Sequence, residues 1–455
     1  MSSRVNPVMT LARNVKSTLV DTGLIVGLLM AVGAVYHVEI RLPRHEVNKA
    51  REGYEEKVDF ETGLSGTTKR LTYVLRTRKD KAKWIGQFGG SAETEGCVQM
   101  GLDWLVRHQA DDGSWSSECL GPKGTNALSK CEEEGICTEP GRPFKFAQTG
   151  LALLALQAAG NYESNDEKYS SHVRRGLDWL IEHQKPEGAL AGSPNGRAEN
   201  YAQPFMYAHA MSSFALAEAC AVRKAQGKED LPKLRNAAVK AVEFIERYQH
   251  SDGGWRYTIQ KQERSDCSVS GWAMLALKSA REAELPVSQE TIDQTRNFFK
   301  TCETSDGRTA YMSGNAAGTD AITAVGMLTH LLLLKNPAAP LVSSSGTHLA
   351  AQAEHYRDLV RRGTAEFYTL YNATLAMYQA GGENWDRWND AVRDAVVANQ
   401  RQGPGCERGS WDPRGTFGGQ QGGRIYSTAL ATLMLEFYYR FSREGQGIEL
   451  NAPRG

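Results

Sequence analysis

Apolar positions recur at spacings of three and four in six separated stretches: Val98 to Gln109, His172 to Gln184, Leu234 to Gln249, Gln289 to Cys302, Leu349 to Arg361 and Trp388 to Gln400. This is the pattern of an amphipathic helix, and Leu102, Leu105, Val106 and Leu177, Leu180, Ile181 show it well. Each stretch is followed by one that is nearly all apolar or small: Gln148 to Ala159, Phe205 to Val222, Val269 to Ala280, Asp320 to Leu334, Tyr368 to Ala380 and Tyr426 to Phe441. A helix without a polar face must be covered on all sides. Six polar-then-apolar pairs therefore predict an all-α fold, an (α/α)6 toroid with six inner helices wrapped by six outer ones. An open solenoid is the competing arrangement, but it would need polar caps. The last apolar stretch, with Leu430, Leu433, Met434 and Phe437, is no cap.

Between the two members of a pair stands a Gly-rich turn. Its two complete copies run Gln109, Asp112, Gly113, Trp115 and Gln249, Asp252, Gly253, Trp255, both spaced as Gln-x-x-Asp-Gly-x-Trp. Partial copies are Gln184 with Gly188, Asp306 with Gly307, and Gln400 with Gly409 and Trp411. The glutamine can serve orphan carbonyls, Asp-Gly permits a positive φ, and the tryptophan can pack over the junction. These eight residues are read as structural. A period of this kind marks stacked supersecondary units, which makes residues 97–441 one large domain.

Composition narrows the partners. Lys+Arg and Asp+Glu are both 53, with no long basic run, so nucleic acid is not expected. Thr22 to Val38 carry no formal charge and follow Arg4, Arg13 and Lys16. This length approaches a membrane span, and the basic residues would stay inside. Residues 1–38 are read as an inner-membrane anchor or a cleaved signal, with an ordinary buried helix as the remaining reading. Either of the first two places the domain outside the cytoplasm, in the periplasm. Residues 39–96 read as a charged linker or stalk, and 442–455 as a polar tail.

An insertion at 116–142 carries Cys119, Cys131 and Cys137 among Gly, Pro and charge, and could face a protein partner. A disulfide is expected to hold it. A metal site is the weaker reading, because the insertion has neither Cys-x-x-Cys nor His. Cys220 and Cys267 read as small buried hydrophobes.

With two full motifs and several partial ones, the chain resembles the terpenoid cyclase and protein prenyltransferase superfamily, and Ser265 to Ala280 is similar to bacterial squalene-cyclase-like segments. The resemblance implies the (α/α)6 toroid, but not the chemistry. The acidic Asp-x-Asp-Asp of squalene-hopene cyclases is absent, since Cys267 and Ser268 follow Asp266. Where prenyltransferases place a zinc-binding Cys stands Ser268, and their His has no counterpart among Arg424 to Ser427. Gly405, Cys406 and Glu407 are not the thioester motif of proteins on the same barrel. No metal and no cofactor is expected.

Asp266 and Asp320 begin the third and fourth inner helices and are the candidate catalytic acids; simple N-capping is the plainer reading of each. His209, Tyr207, Trp272, Tyr371 and Tyr426 are candidate ligand-binding residues, since aromatic faces suit an isoprenoid. Phe367, Tyr368 and Phe417 could join them. The reading is a toroid binding an apolar, isoprenoid-like or extended ligand in a central cavity. Its alternatives are an active cyclase or prenyl-processing enzyme with Asp266 as acid, a glycan-acting enzyme using Asp266 with Asp320, and a non-catalytic scaffold.

Overall fold

A computed structural model describes residues 73–440, except 74–75, 77–84, 87, 123–124, 132–136, 138–140, 166, 193–204, 262–263 and 414–416. All of these belong to one compact unit, Gly66–Ile448. The expected anchor at 22–38, most of the 39–96 stretch and the tail at 442–455 lie outside the described residues.

Among the described residues the elements are helices, joined by turns and isolated bridges. The six polar stretches form α1 (Ala92–Arg107), α3 (Ser170–His183), α5 (Pro232–Arg247), α7 (Gln289–Thr301), the pair α9 (Pro340–Ala351) and α10 (Ala353–Arg361), and α12 (Gly382–Ala398). The apolar stretches form α2 (Lys145–Ala158), α4 (Phe205–Ala225), α6 (Cys267–Glu282), α8 (Asp320–Leu332), α11 (Phe367–Ala380) and α13 (Phe417–Leu435), followed by the short α14 (Phe437–Arg440). Every residue of α2 from Ala147 to Ala158 is buried, as a helix with no polar face requires. The inner helices pack in the order α2, α4, α6, α8, α11, α13 and back to α2, so the ring is closed.

Three boundaries differ from the pattern. The first helix starts at Ala92, where Ser91 and Thr94 exchange a capping box. The fifth outer helix begins at Pro340, whose ring presets φ at the first helical position, and it divides at Gln352. The last inner helix is interrupted at Gly423, with φ 69°, so its regular part starts near the expected Tyr426. The region before Ala92 also contributes to the core, since Tyr73, Arg76 and Ile85 are buried.

The turns repeat one geometry around the ring. The Gln109 amide donates to Gly113 O at 2.8 Å and to His172 O on the next outer helix at 3.0 Å. Gln184 does the same with Gly188 O and Ala237 O, and Gln249 with Gly253 O and Thr291 O. The indoles of Trp115, Trp255 and Trp411 donate back to Leu105 O, Ile245 O and Val396 O at 2.7 to 2.8 Å. Gly253 has φ +92°, and a Cβ there would stand 2.2 Å from Gln294 O, so the glycine is demanded twice over.

Candidate functional site

The N-terminal ends of the inner helices meet at one mouth of the ring. Asp266 caps α6: its Oδ1 accepts from Ser268 N at 2.9 Å and Val269 N at 3.0 Å, and from the Ser268 hydroxyl. Its position follows from the repeat, because Asp266 N donates to Trp255 O at 2.9 Å. The residue is fully buried, and Oδ2 has no hydrogen-bond partner. Arg256 Nη1 stands 3.9 Å from Oδ2. Burial raises the carboxyl above its ordinary range and outweighs the hydrogen bonds from Ser268 and Val269 and the charge of Arg256.

Tyr207, Tyr311 and Tyr368 lie within reach of the charge of this carboxyl, and Tyr257 and Tyr426 adjoin them. Tyr207 stands in the first turn of α4 and its ring lies 5.7 Å from that of Tyr257. Tyr257 and Tyr311 share a hydrogen bond through their hydroxyls, and the Tyr368 hydroxyl donates to Ser268 O at 3.3 Å. Tyr426 stands near Tyr207 and Tyr368. All five are partly exposed. Burial, then the charge of Asp266, holds the hydroxyls of Tyr311 and Tyr368 well above the ordinary phenol range, so both stay protonated.

Below the mouth the axis is filled. Trp272 on α6 stacks on Tyr371 of α11 at 5.5 Å and 11°, and Tyr371 meets Phe437 at 5.4 Å. Helices α6 and α11 are not neighbours in the ring, so this stack spans the centre. Tyr371 and Phe437 have 0% of their surface accessible, which leaves no solvent-sized void against them. At the far end Glu218 takes Arg76 at 2.7 Å and Arg440 at 3.2 Å, with all three buried. Burial works against the Glu218 charge, yet Arg76 and Arg440 outweigh it and hold the carboxyl below its ordinary value. The mouth is therefore shallow.

The sequence-derived candidates separate into those at the mouth and those in the walls. Asp266, Tyr207 and Tyr426 stand together at the mouth. Trp272 and Tyr371 belong to the axial stack beneath it. His209 lies in the wall: Leu190 N donates to Nδ1 at 3.0 Å and Nε2–H donates to Ala241 O at 3.1 Å, so both ring nitrogens are engaged. Burial depresses its pKa to about 3. Asp320 does not cap α8, a position held by Thr319; it accepts from His348 Nε2 at 2.7 Å and the Tyr356 hydroxyl at 2.9 Å in the outer layer. No contact joins Asp320 to Asp266 among the described residues. Tyr257, Tyr311 and Arg256 were missed by sequence reasoning, because they lie in turns where no helical period marks a face.

The cysteines also stand differently from expectation. No described cysteine is in a disulfide. Cys119 stays apart, while Cys131 and Cys137 gather with His108 from the end of α1 and Cys406 from the sixth turn. The histidine absent from the insertion is supplied by the turn before it.

Residues 83–220 match the family of the squalene-hopene cyclase C-terminal domain. A squalene–hopene cyclase of Bradyrhizobium diazoefficiens is 25% identical over 207 residues, which cover 42% of this chain and 27% of that enzyme. The chain thus spans under a third of the length of this curated relative. Among solved structures, a type II terpene cyclase from Scytonema, in complex with merosterolic acid A, aligns at TM-score 0.45 and 12% identity, over 76% of this chain and 96% of that one. An α-1,6-mannanase of Salegentibacter aligns at TM-score 0.49 and 10% identity, over 77% and 99%. The Gln-to-Trp turns and the closed helical ring accord with this similarity to squalene-hopene cyclases, which the family match carries over residues 83–220.

Proposed function

We propose that this toroid binds an extended, partly apolar ligand of the isoprenoid-like class across its tyrosine-lined mouth, with buried Asp266 holding the Ser268 segment to which the Tyr368 hydroxyl bonds. One observation carries the reading: partly exposed Tyr207, Tyr311 and Tyr368 lie within reach of the charge of a buried carboxylate whose Oδ2 lacks a hydrogen-bond partner, and Tyr257 and Tyr426 adjoin them. Aromatic faces favour apolar or cationic groups, and the protonated phenols add donors at fixed places. The ligand lies across the opening because Trp272, Tyr371 and Phe437 occupy the axis. Cyclisation needs a closed, dry chamber around a carbocation, and a filled axis argues against it. The anchor reading of 22–38 belongs to the same proposal, since a tethered toroid outside the cytoplasm would face lipid substrates at the membrane. Among the described residues no helix is long and apolar enough to cross a membrane.

A second reading, proton transfer by Asp266, is favoured by its raised pKa. Mass spectrometry of lipids that co-purify with the full chain tests both readings. A bound isoprenoid lost in Tyr368→Ala and Asp266→Asn is expected. Equal lipid content in all three proteins would overturn the proposal, and turnover of the recovered lipid by wild type but not Asp266→Asn would establish the second reading.

A further inference from the structure

The side chain of His108 ends α1 with its ring stacked on Trp104 at 4.2 Å and its Nδ1–H donated to Trp104 O at 2.8 Å. That hydrogen bond fixes the tautomer and leaves the lone pair of Nε2 facing inward. Three sulfurs face it: Cys406 Sγ at 3.1 Å, Cys137 Sγ at 3.5 Å and Cys131 Sγ at 3.8 Å. All four ligand atoms lie within 4.8 Å of one another, and the four residues are buried. Cys137 N donates to Cys131 Sγ at 3.4 Å, a contact that stabilises a thiolate.

We infer that His108, Cys131, Cys137 and Cys406 form a Cys3His site for a tetrahedral zinc ion. Zn–S bonds of about 2.3 Å and a Zn–N bond of about 2.0–2.1 Å require ligand atoms roughly 3.5–3.8 Å apart, close to the spacing found. The histidine is oriented as a metal ligand is, with its second nitrogen bonded to a backbone carbonyl. His183 provides an internal contrast. It occupies the matching place on α3, stacks on Trp179 at 4.3 Å and bonds Trp179 O at 2.8 Å, yet no described cysteine is grouped with it. The scaffold thus explains the pose of His108, but not the three cysteines gathered on it. They come from the first and sixth turns, 269 residues apart between Cys137 and Cys406.

Four buried protein ligands leave no position for substrate, so the ion is structural. It pins the 116–142 insertion to the loop after Gln400 at the seam where the ring closes, beside the bond from Arg107 Nη2 to Arg408 O at 2.9 Å. Metal analysis of the untagged full chain should give about one zinc per chain, as a single closed site holds one ion. Exchange with Co2+ should produce tetrahedral ligand-field bands and a thiolate charge-transfer band. His108→Ala and Cys406→Ser should lose the metal, whereas His183→Ala and Cys119→Ser should keep it. Should the ligand variants fail to fold, the wild type is stripped with chelator and reloaded with Co2+, and return of the thiolate band supports the site. Folded protein that is metal-free as purified and gives no such band, or full zinc retention in Cys406→Ser, would overturn it.

Discussion

The side-chain amide of Gln400 donates to Cys97 O at 2.8 Å and to Gly409 O at 2.9 Å, and so ties the last outer helix to the first. It is the same bond pair that Gln109 makes to Gly113 O and His172 O one repeat later. The contact to Cys97 spans 303 residues of sequence. A staple used locally elsewhere becomes, at this place, the closure of the ring.

Replacing Gln400 by Ala should leave Gly409 O without this donor and remove the extra bond to Cys97 O, a carbonyl already inside α1. Leaving one buried acceptor unsatisfied costs about 1–3 kcal/mol. We expect Gln400→Ala to lower the midpoint of urea unfolding with an unchanged m-value, and Gln184→Ala, which frees the local pair Gly188 O and Ala237 O, to act in the same direction. A Gln400→Ala protein as stable as wild type would show that the seam is held by other contacts alone.

The turn glycines permit a sharper test. Gly188 has φ +101°, and a Cβ there would sit 2.2 Å from Lys240 O, whereas Gly227 has φ +66° with nothing within 4 Å. Gly227→Ala should cost only the left-handed backbone term, roughly 1–2 kcal/mol. Gly188→Ala must also push apart α5 and its own turn, so its loss in thermal stability should exceed that of Gly227→Ala clearly. Equal losses would mean the turn yields without resistance.

Much of this architecture was legible in the sequence. The 3.6 period separates Leu177 and Leu180 from the solvated face of α3, and an unbroken apolar run such as Leu151 to Leu156 has no place but an interior. The site was less so. Asp266 carried a cue, because an acidic residue before an apolar helix is a cap whether or not it has a second task. Tyr257 and Tyr311 had none, since turn residues point where the chain path sends them. The axial stack was also hidden: periodicity tells that Trp272 and Tyr371 are inward, but not whether inward side chains leave a cavity or meet. Cys406 illustrates the largest gap, as its partners are joined to it only by closure of the ring.

Acid should weaken the fold through two wall residues. Glu218 is held below its ordinary pKa although burial opposes its charge, because Arg76 and Arg440 outweigh that burial, and His209 is depressed to about 3 by burial. A depressed pKa gives stability that is present above the unfolded value and lost as pH falls through the folded one. For His209 the loss begins near the ordinary imidazole value of about 6.5, and for Glu218 near about 4.3. Stability measured by urea unfolding should therefore fall from pH 7 to pH 3, and His209→Gln should flatten the upper part of that decline. Removing the shared carboxylate of the buried cluster, as in Glu218→Ala, leaves two buried arginine charges without their counter-ion and should cost about 3–5 kcal/mol.

Asp266 has the opposite sign. Its folded pKa is raised by burial, so the protonated form suits the fold; the stability it contributes is full below the unfolded value of about 3.9 and is lost as pH rises through the folded value. Asn caps a helix as well as Asp and cannot ionise, so Asp266→Asn should match wild type at low pH and become the more stable protein as pH rises. The difference should level off once wild type is fully ionised. Asp266→Ala loses the cap to Ser268 N and Val269 N and should be destabilised by about 1 kcal/mol at every pH relative to Asn. Urea unfolding of the three proteins across this pH range checks both effects. A constant offset between Asp266→Asn and wild type would mean that this carboxyl ionises alike in the folded and unfolded chain, and the acid reading of Asp266 would fall with it.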